Sequence, residues 1–129
     1  MIPRLTSLDL PASLSRDFLA ELSLRGFEGD ITQSHADRTV FATDNSIYQV
    51  LPQAVVFPRN ELDVIRVAKL SNEPRFSAIA FSPRGGGTGT NGQSLTSGIA
   101  VDLSRHMNAI LEVNAQHSRF ICIQTLSAP

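Results

Sequence analysis

Ala54-Val55-Val56-Phe57-Pro58-Arg59-Asn60-Glu61-Leu62-Asp63 begins the stretch that decides the fold, which runs on through Leu70 and Pro74 to a second apolar run at residues 77–81. Residues 54–57 are continuously apolar between Pro52 and Pro58, which suits a short buried strand. Asn60 stands where a helix N-cap would, with Glu61 and Asp63 in the first turn, at the positive end of the helix dipole. Leu62, Ile65 and Ala68 mark one apolar face up to Leu70, and Pro74 ends the element. Strand, helix, strand within about thirty residues is a βαβ unit, which predicts a parallel pair joined by a right-handed crossover.

Upstream, Leu14, Phe18, Leu19 and Leu22 fall on one helical face of residues 13–25. Pro11 is a start signal, Gly26 a left-handed C-terminal cap, and Phe27 is placed to fold back on the last turn. Residues 29–53 read as a long, mostly irregular connection, with turn formers at Asp30, Ser34, Asp37, Thr43, Asp44, Asn45 and Ser46. Short apolar pieces surround Val40-Phe41 and Ile47-Tyr48. A connection of that length is uncommon in a compact domain unless it is functional or lies on another part. Downstream, Ile99-Ala100-Val101-Asp102-Leu103 reads as a strand, and residues 109–113 and 119–124 as an antiparallel pair around a turn at 114–118. The class is α+β, with no internal repeat.

Between residues 81 and 99 lies Arg84-Gly85-Gly86-Gly87-Thr88-Gly89-Thr90-Asn91-Gly92, which holds five of the eight glycines. Glycine reaches left-handed backbone angles cheaply and lets an anion approach main-chain N–H groups, and successive amides in such a turn form a phosphate-binding nest. Thr88, Thr90 and Asn91 add side-chain donors, and Arg84 adds a positive charge at the entrance. Gly87, Gly89 and Gly92 satisfy the spacing G-x-G-x-x-G, but that fingerprint needs a helix opening directly from the loop. Only residues 93–97 separate the loop from the next strand, too few for such a helix, so a dinucleotide fold of that kind is rejected. No Lys-Ser or Lys-Thr pair follows the glycines, so the loop is not a Walker A motif either. The plain alternative is a flexible glycine turn without a ligand, beside a solvated arginine.

Composition narrows the classes further. The 129 residues allow one compact domain, and a net charge of −1 with mixed signs leaves no electrostatic footprint for nucleic acid or an anionic membrane. A single cysteine, Cys122, forms neither an intrachain disulfide nor a metal site alone, which fits a reducing compartment. Met1-Ile2-Pro3-Arg4-Leu5 lacks the apolar core of a signal peptide, and no run is long enough to span a bilayer. A cytoplasmic location is the expectation.

Val55-Val56-Phe57-Pro58, the following helix, Pro83-Arg84-Gly85-Gly86-Gly87-Thr88-Gly89, and Val101-Asp102-Leu103-Ser104-Arg105-His106-Met107-Asn108 together resemble the FAD-binding domain of the vanillyl-alcohol-oxidase/PCMH superfamily. Ala36-Asp37-Arg38 and Thr43-Asp44-Asn45-Ser46-Ile47-Tyr48 are similar to one branch, large bacterial FAD-linked proteins related to D-lactate and D-2-hydroxyglutarate dehydrogenases, with a C-terminal iron–sulfur segment. The resemblance implies an N-terminal helix and irregular extension over residues 1–50 and the first part of a PCMH-type domain over residues 51–129. It implies FAD held through its pyrophosphate by Arg84, Gly85, Gly86, Gly87, Thr88, Gly89, Thr90, Asn91 and Gly92. Some relatives attach the flavin through a histidine in this loop; none occurs here, so FAD is expected to be non-covalent. A contact from Met107 or Asn108 to the cofactor is a weaker implication, and ordinary packing is the simpler role for His106 and Met107. Tyr48 and Asp44 read as packing and turn residues.

The resemblance implies a parent that oxidises a D-2-hydroxy acid and whose second FAD half, substrate domain and iron–sulfur cysteines are not in this chain, with a membrane-peripheral location as the alternative for that parent. The ending, Gln124-Thr125-Leu126-Ser127-Ala128-Pro129, departs from the family, where a glycine is expected soon after the strand. An incomplete N-terminal piece is therefore expected, inactive alone, with FAD and the rest of the parent protein as partners. Two rival readings are a stand-alone nucleotide-pyrophosphate binder and a structural remnant that self-associates through an uncovered face.

Overall fold

In the computed structural model, which describes residues 12–114, 116 and 119–122, the apolar run around Val55 is one of the two central strands of a four-stranded sheet. We number the strands β1 (Asp30–Thr32), β2 (Ala54–Phe57), β3 (Phe81–Arg84), β4 (Ile99–Asp102), β5 (Ile110–Asn114) and β6 (Arg119–Cys122). The helices are α1 (Ser13–Leu24), α2 (His35–Val40) and α3 (Glu61–Ser71). The sheet order is β1-β2-β4-β3, with β5 and β6 forming a separate antiparallel pair. β2 and β4 pair in parallel from Ala54 opposite Ile99 to Val56 opposite Val101. β3 runs parallel on the far side of β4, from Phe81 opposite Ile99 to Arg84 opposite Asp102. The two strands of the expected βαβ unit, β2 and β3, thus run parallel, with β4 inserted between them.

Every residue of β2 and β4 is buried, because both faces of the sheet's centre are covered. On one face Ala54, Val56, Ile99 and Val101 pack with Phe18, Leu19 and Leu22 of α1 and Val67 and Leu70 of α3. Phe18 meets the ring of Phe76 edge-on, with centroids 5.2 Å apart. On the other face Val55, Phe57 and Ala100 are covered by Phe41, and the Arg105 guanidinium lies 3.6 Å from the Phe57 ring centroid. α1 ends as expected: Gly26 has φ +83°, its N–H reaches the Ser23 carbonyl, and Phe27 N–H reaches the Leu22 carbonyl. This is a Schellman closure, with Phe27 packed against the core.

Other expectations from the sequence are refined or corrected. Residues 29–53 are mostly irregular as expected but hold two short elements the sequence did not announce, β1, which pairs antiparallel with β2, and α2 after it. α2 is started by Ser34, whose hydroxyl accepts the Asp37 N–H at 3.1 Å, while Asp37 Oδ2 accepts the hydroxyls of Ser34 and Thr32. The strand expected at 77–81 begins only at Phe81, because a 3-10 turn, Pro74–Phe76, first drives Phe76 into the core. Pro83 is tolerated there because β3 is the edge strand.

The buried face of α3 is also corrected: it is Asp63, Val67 and Leu70, whereas Leu62 is 60% and Ile65 37% exposed and Ala68 lies outward. Asp63 is fully buried, and its carboxylate accepts the N–H groups of Glu28 and Arg59 at 3.0 Å each and Arg66 Nη1 at 2.9 Å. With Asn60 accepting the Asp63 N–H as the N-cap, this one side chain joins the α1–β1 and β2–α3 links. The antiparallel pair near the end is present as β5 and β6, but most of its turn, Pro11, and residues 123–129 with the departing C-terminal sequence lie outside the described residues.

Candidate cofactor site

β3 delivers Arg84 to the carboxyl end of the sheet, and the glycine-rich loop opens there, on the side where open parallel sheets carry their ligands. From residue 85 to residue 98 there is no helix, so the rejection of the G-x-G-x-x-G dinucleotide fold holds. Among the described residues, the main-chain N–H groups of Gly86, Gly87, Thr88, Gly89 and Thr90 find no acceptor within the protein. Gly86, Thr88, Thr90 and Asn91 are exposed. Gly87 and Gly92 hold φ at +67° and +72°, in the left-handed region that a side chain resists. Later the loop closes on itself: Asn91 N–H reaches Gln93 Oε1 at 3.0 Å, and Leu95 N–H reaches the Gly92 carbonyl at 3.0 Å.

Arg84 is not a loosely solvated cation. Its Nη1 donates to the Thr43 carbonyl at 2.9 Å, and its guanidinium carbon lies 5.1 Å from the Phe41 ring centroid. The same guanidinium packs on Gly87 so closely that a methyl group there would collide with it. Tyr48 lines the other end, its ring 3.1 Å from where a Cβ on Gly92 would sit. Asp44 Oδ1 accepts the Ser46 N–H at 2.8 Å, and Ser94 Oγ donates to Asp44 Oδ2 at 3.2 Å. Hydrogen bonding by Ser46, then Ser94, and the nearby Arg84 charge hold the Asp44 carboxyl below the usual carboxylate range.

The nine residues expected from the sequence thus lie together on one loop, and the structure adds a second wall at residues 41–48. Sequence reading gave Asp44 and Tyr48 only turn and packing roles. Nothing in their local pattern announces a contact with Ser94 or Gly92, far along the chain. Met107 is buried, so packing is its observed role, while Asn108 is exposed. His106 Nε2 lies 2.7 Å from Asp30 Oδ2, tying the turn after β4 to β1.

A family model described as FAD binding domain matches residues 52–124, more than half of the chain. The chain belongs to the FAD-binding domain family. The family segment begins at β2, so its opening strands and the glycine loop are the parts described above. D-2-hydroxyglutarate dehydrogenase of Pseudomonas putida is 56% identical over 96% of this chain, and that of Haemophilus influenzae is 50% identical over 96%. The chain spans 12% of the length of either relative. Among solved structures, alkyldihydroxyacetonephosphate synthase matches with a TM-score of 0.69 at 20% identity, covering 85% of this chain and 24% of that one. That likeness establishes the fold.

FAD is the cofactor of this family, and the loop's chemistry fits one part of it. The diphosphate of FAD is a doubly charged anion with many acceptors and no donors. Five adjacent amides without acceptors, exposed threonine hydroxyls and one cation are the complementary set. No histidine lies on the loop, so it offers no imidazole for covalent attachment of the flavin. Among the described residues no group of His, Cys, Asp and Glu could hold a metal ion, and no helix is long and apolar enough to cross a membrane.

Proposed function

We propose that residues 84–92 hold the FAD diphosphate, and that this chain is cofactor-binding structure of a flavoenzyme that oxidises a D-2-hydroxy acid of the lactate or 2-hydroxyglutarate type. The run of acceptorless amides from Gly86 to Thr90 carries the reading. In it, these amides and the hydroxyls of Thr88 and Thr90 donate to phosphate oxygens, Asn91 adds its amide group, and Gly85, Gly89 and Gly92 let the backbone approach closely. Arg84 supplies charge from the loop's entrance while Thr43 and Phe41 hold its side chain in place. The chemistry that bound FAD supplies is acceptance of the hydride released as the substrate hydroxyl is oxidised. No residue of this chain is assigned to remove the hydroxyl proton, and the iron–sulfur segment belongs to the parent protein.

The hydroxy-acid class is supported by the names of the relatives that cover nearly all of this chain. A cytoplasmic location goes with the reading. The exposed side chains of Ile110, Leu111 and Val113 on β5 support a covering partner, which we assign to the rest of the flavoprotein. Self-association through that face is the second reading.

Titrating the purified chain with FAD, by flavin fluorescence and calorimetry, tests the proposal. Saturable binding is expected. It should weaken at least tenfold in Gly86→Asp, which places a carboxylate among the amides. Absence of binding up to millimolar FAD contradicts it for this chain.

A further inference from the structure

We propose that Asp44 is a positioning residue for the cofactor loop, and that through it and Arg84 the segment 41–48 clamps the loop at both ends so that its amides converge before FAD arrives. The inference rests on the FAD reading of the loop for its purpose, but not for its geometry. At the near end, Arg84 Nη1 donates to the Thr43 carbonyl at 2.9 Å and the guanidinium packs over Phe41. At the far end, Ser94 Oγ donates to Asp44 Oδ2 at 3.2 Å. Between them the Tyr48 ring backs Gly92. The clamp has its own footing: Thr43 and Gln49 form an isolated antiparallel bridge, and Val50 N–H donates to the Ala42 carbonyl at 2.9 Å.

The need for a clamp follows from the loop's few internal bonds. Among the described residues, only the Asn91–Gln93 and Gly92–Leu95 contacts tie the main chain of residues 85–92, and glycine adds backbone freedom that must be given up when an anion binds. Restraint applied from outside before binding lowers that ordering cost and appears directly as affinity. Asp44 is suited to restraint rather than to contact. A carboxylate beside a diphosphate repels it, and both Asp44 oxygens are already used, by Ser46 N–H and Ser94 Oγ. Hydrogen bonding from Ser46 keeps it ionised, and therefore a strong acceptor, to pH values below the usual carboxylate range.

The test compares wild type with Asp44→Ala, Asp44→Asn and Ser94→Ala. The readouts are FAD affinity by fluorescence and hydrogen exchange of the amides of residues 86–95 in ligand-free protein. Asp44→Ala is expected to weaken FAD about tenfold and to speed exchange at residues 91–95, since a bond to a charged acceptor is lost. Ser94→Ala, which cuts only the bridge and leaves the Asp44 turn intact, should move both readouts in the same direction by less. Asp44→Asn keeps an oxygen for the Ser46 N–H and removes the repulsive charge, so it should restore affinity to within about threefold of wild type. Unchanged exchange in both Asp44→Ala and Ser94→Ala overturns the clamp, as does an Asp44→Asn variant no better than Asp44→Ala. If wild type itself fails to bind FAD, the cofactor reading fails while the exchange comparison still decides the clamp.

Discussion

At the scale of single residues, the site depends on what is missing from Gly87 and Gly92. Gly87 combines φ +67° with a guanidinium packed where a Cβ would go. Gly87→Ala must therefore strain its backbone and displace Arg84 together. The expected outcome is about 1 kcal/mol of lost stability in urea denaturation and a clear loss of FAD affinity in titration. Gly92→Ala meets the Tyr48 ring at 3.1 Å, and Tyr48 is more than half exposed and able to move aside. Its effect on affinity is expected to be smaller than that of Gly87→Ala, measured in the same titration. Sequence reading found the glycines by their density. It missed the reason for Gly87 in particular, because that reason is a side chain folded back from three residues earlier.

At the scale of elements, Asp63 shows why the apolar pattern of α3 misleads. Leu62, Ile65 and Ala68 outline a face by hydrophobicity, yet the helix turns Asp63, Val67 and Leu70 inward. A buried carboxylate is costly unless its bonds are made, and here two main-chain N–H groups and Arg66 make them. Asp63→Ala leaves both N–H groups without their acceptor and is expected to cost about 3 kcal/mol in denaturation, whereas Asp63→Asn should cost less. β2, α1 and its Gly26 closure, the Asn60 cap and β4 were readable because each is announced by neighbours in sequence. α2 is too short for periodicity to mark it, and only the spacing of Ser34 and Asp37 signals its start. β3 begins later than its apolar run because Phe76 takes the core position first. The insertion of β4 between β2 and β3 is a matter of tertiary pairing, which no local pattern encodes.

At the scale of the whole molecule, acid should loosen several polar links together, tertiary ones at Asp30, Asp44 and Glu73 and the local one that starts α2 at Asp37. Hydrogen bonds from His106 lower the Asp30 carboxyl, those from Ser34 and Thr32 lower Asp37, those from Ser46 lower Asp44, and that from Arg25 lowers Glu73. Carboxyls lowered on folding stabilise the fold above their ordinary range, and that contribution is lost as pH falls through their depressed values. Stability is expected to be level above about pH 5 and to fall progressively below about pH 4, followed by denaturation midpoints across that range. The β5 face should behave independently of the fold. Leu111 and Val113 are 61% and 71% exposed, so changing both to glutamate should shift stability by no more than about 0.5 kcal/mol per site while suppressing any concentration-dependent association in sedimentation. Whether the free amides of the glycine loop receive the FAD diphosphate can be read by amide-resolved NMR during an FAD titration. The resonances of residues 86–90 are expected to shift together and to saturate with the flavin signal, while Gly26, on the α1 closure, stays still. Saturable flavin binding that leaves residues 86–90 unmoved would contradict diphosphate binding there.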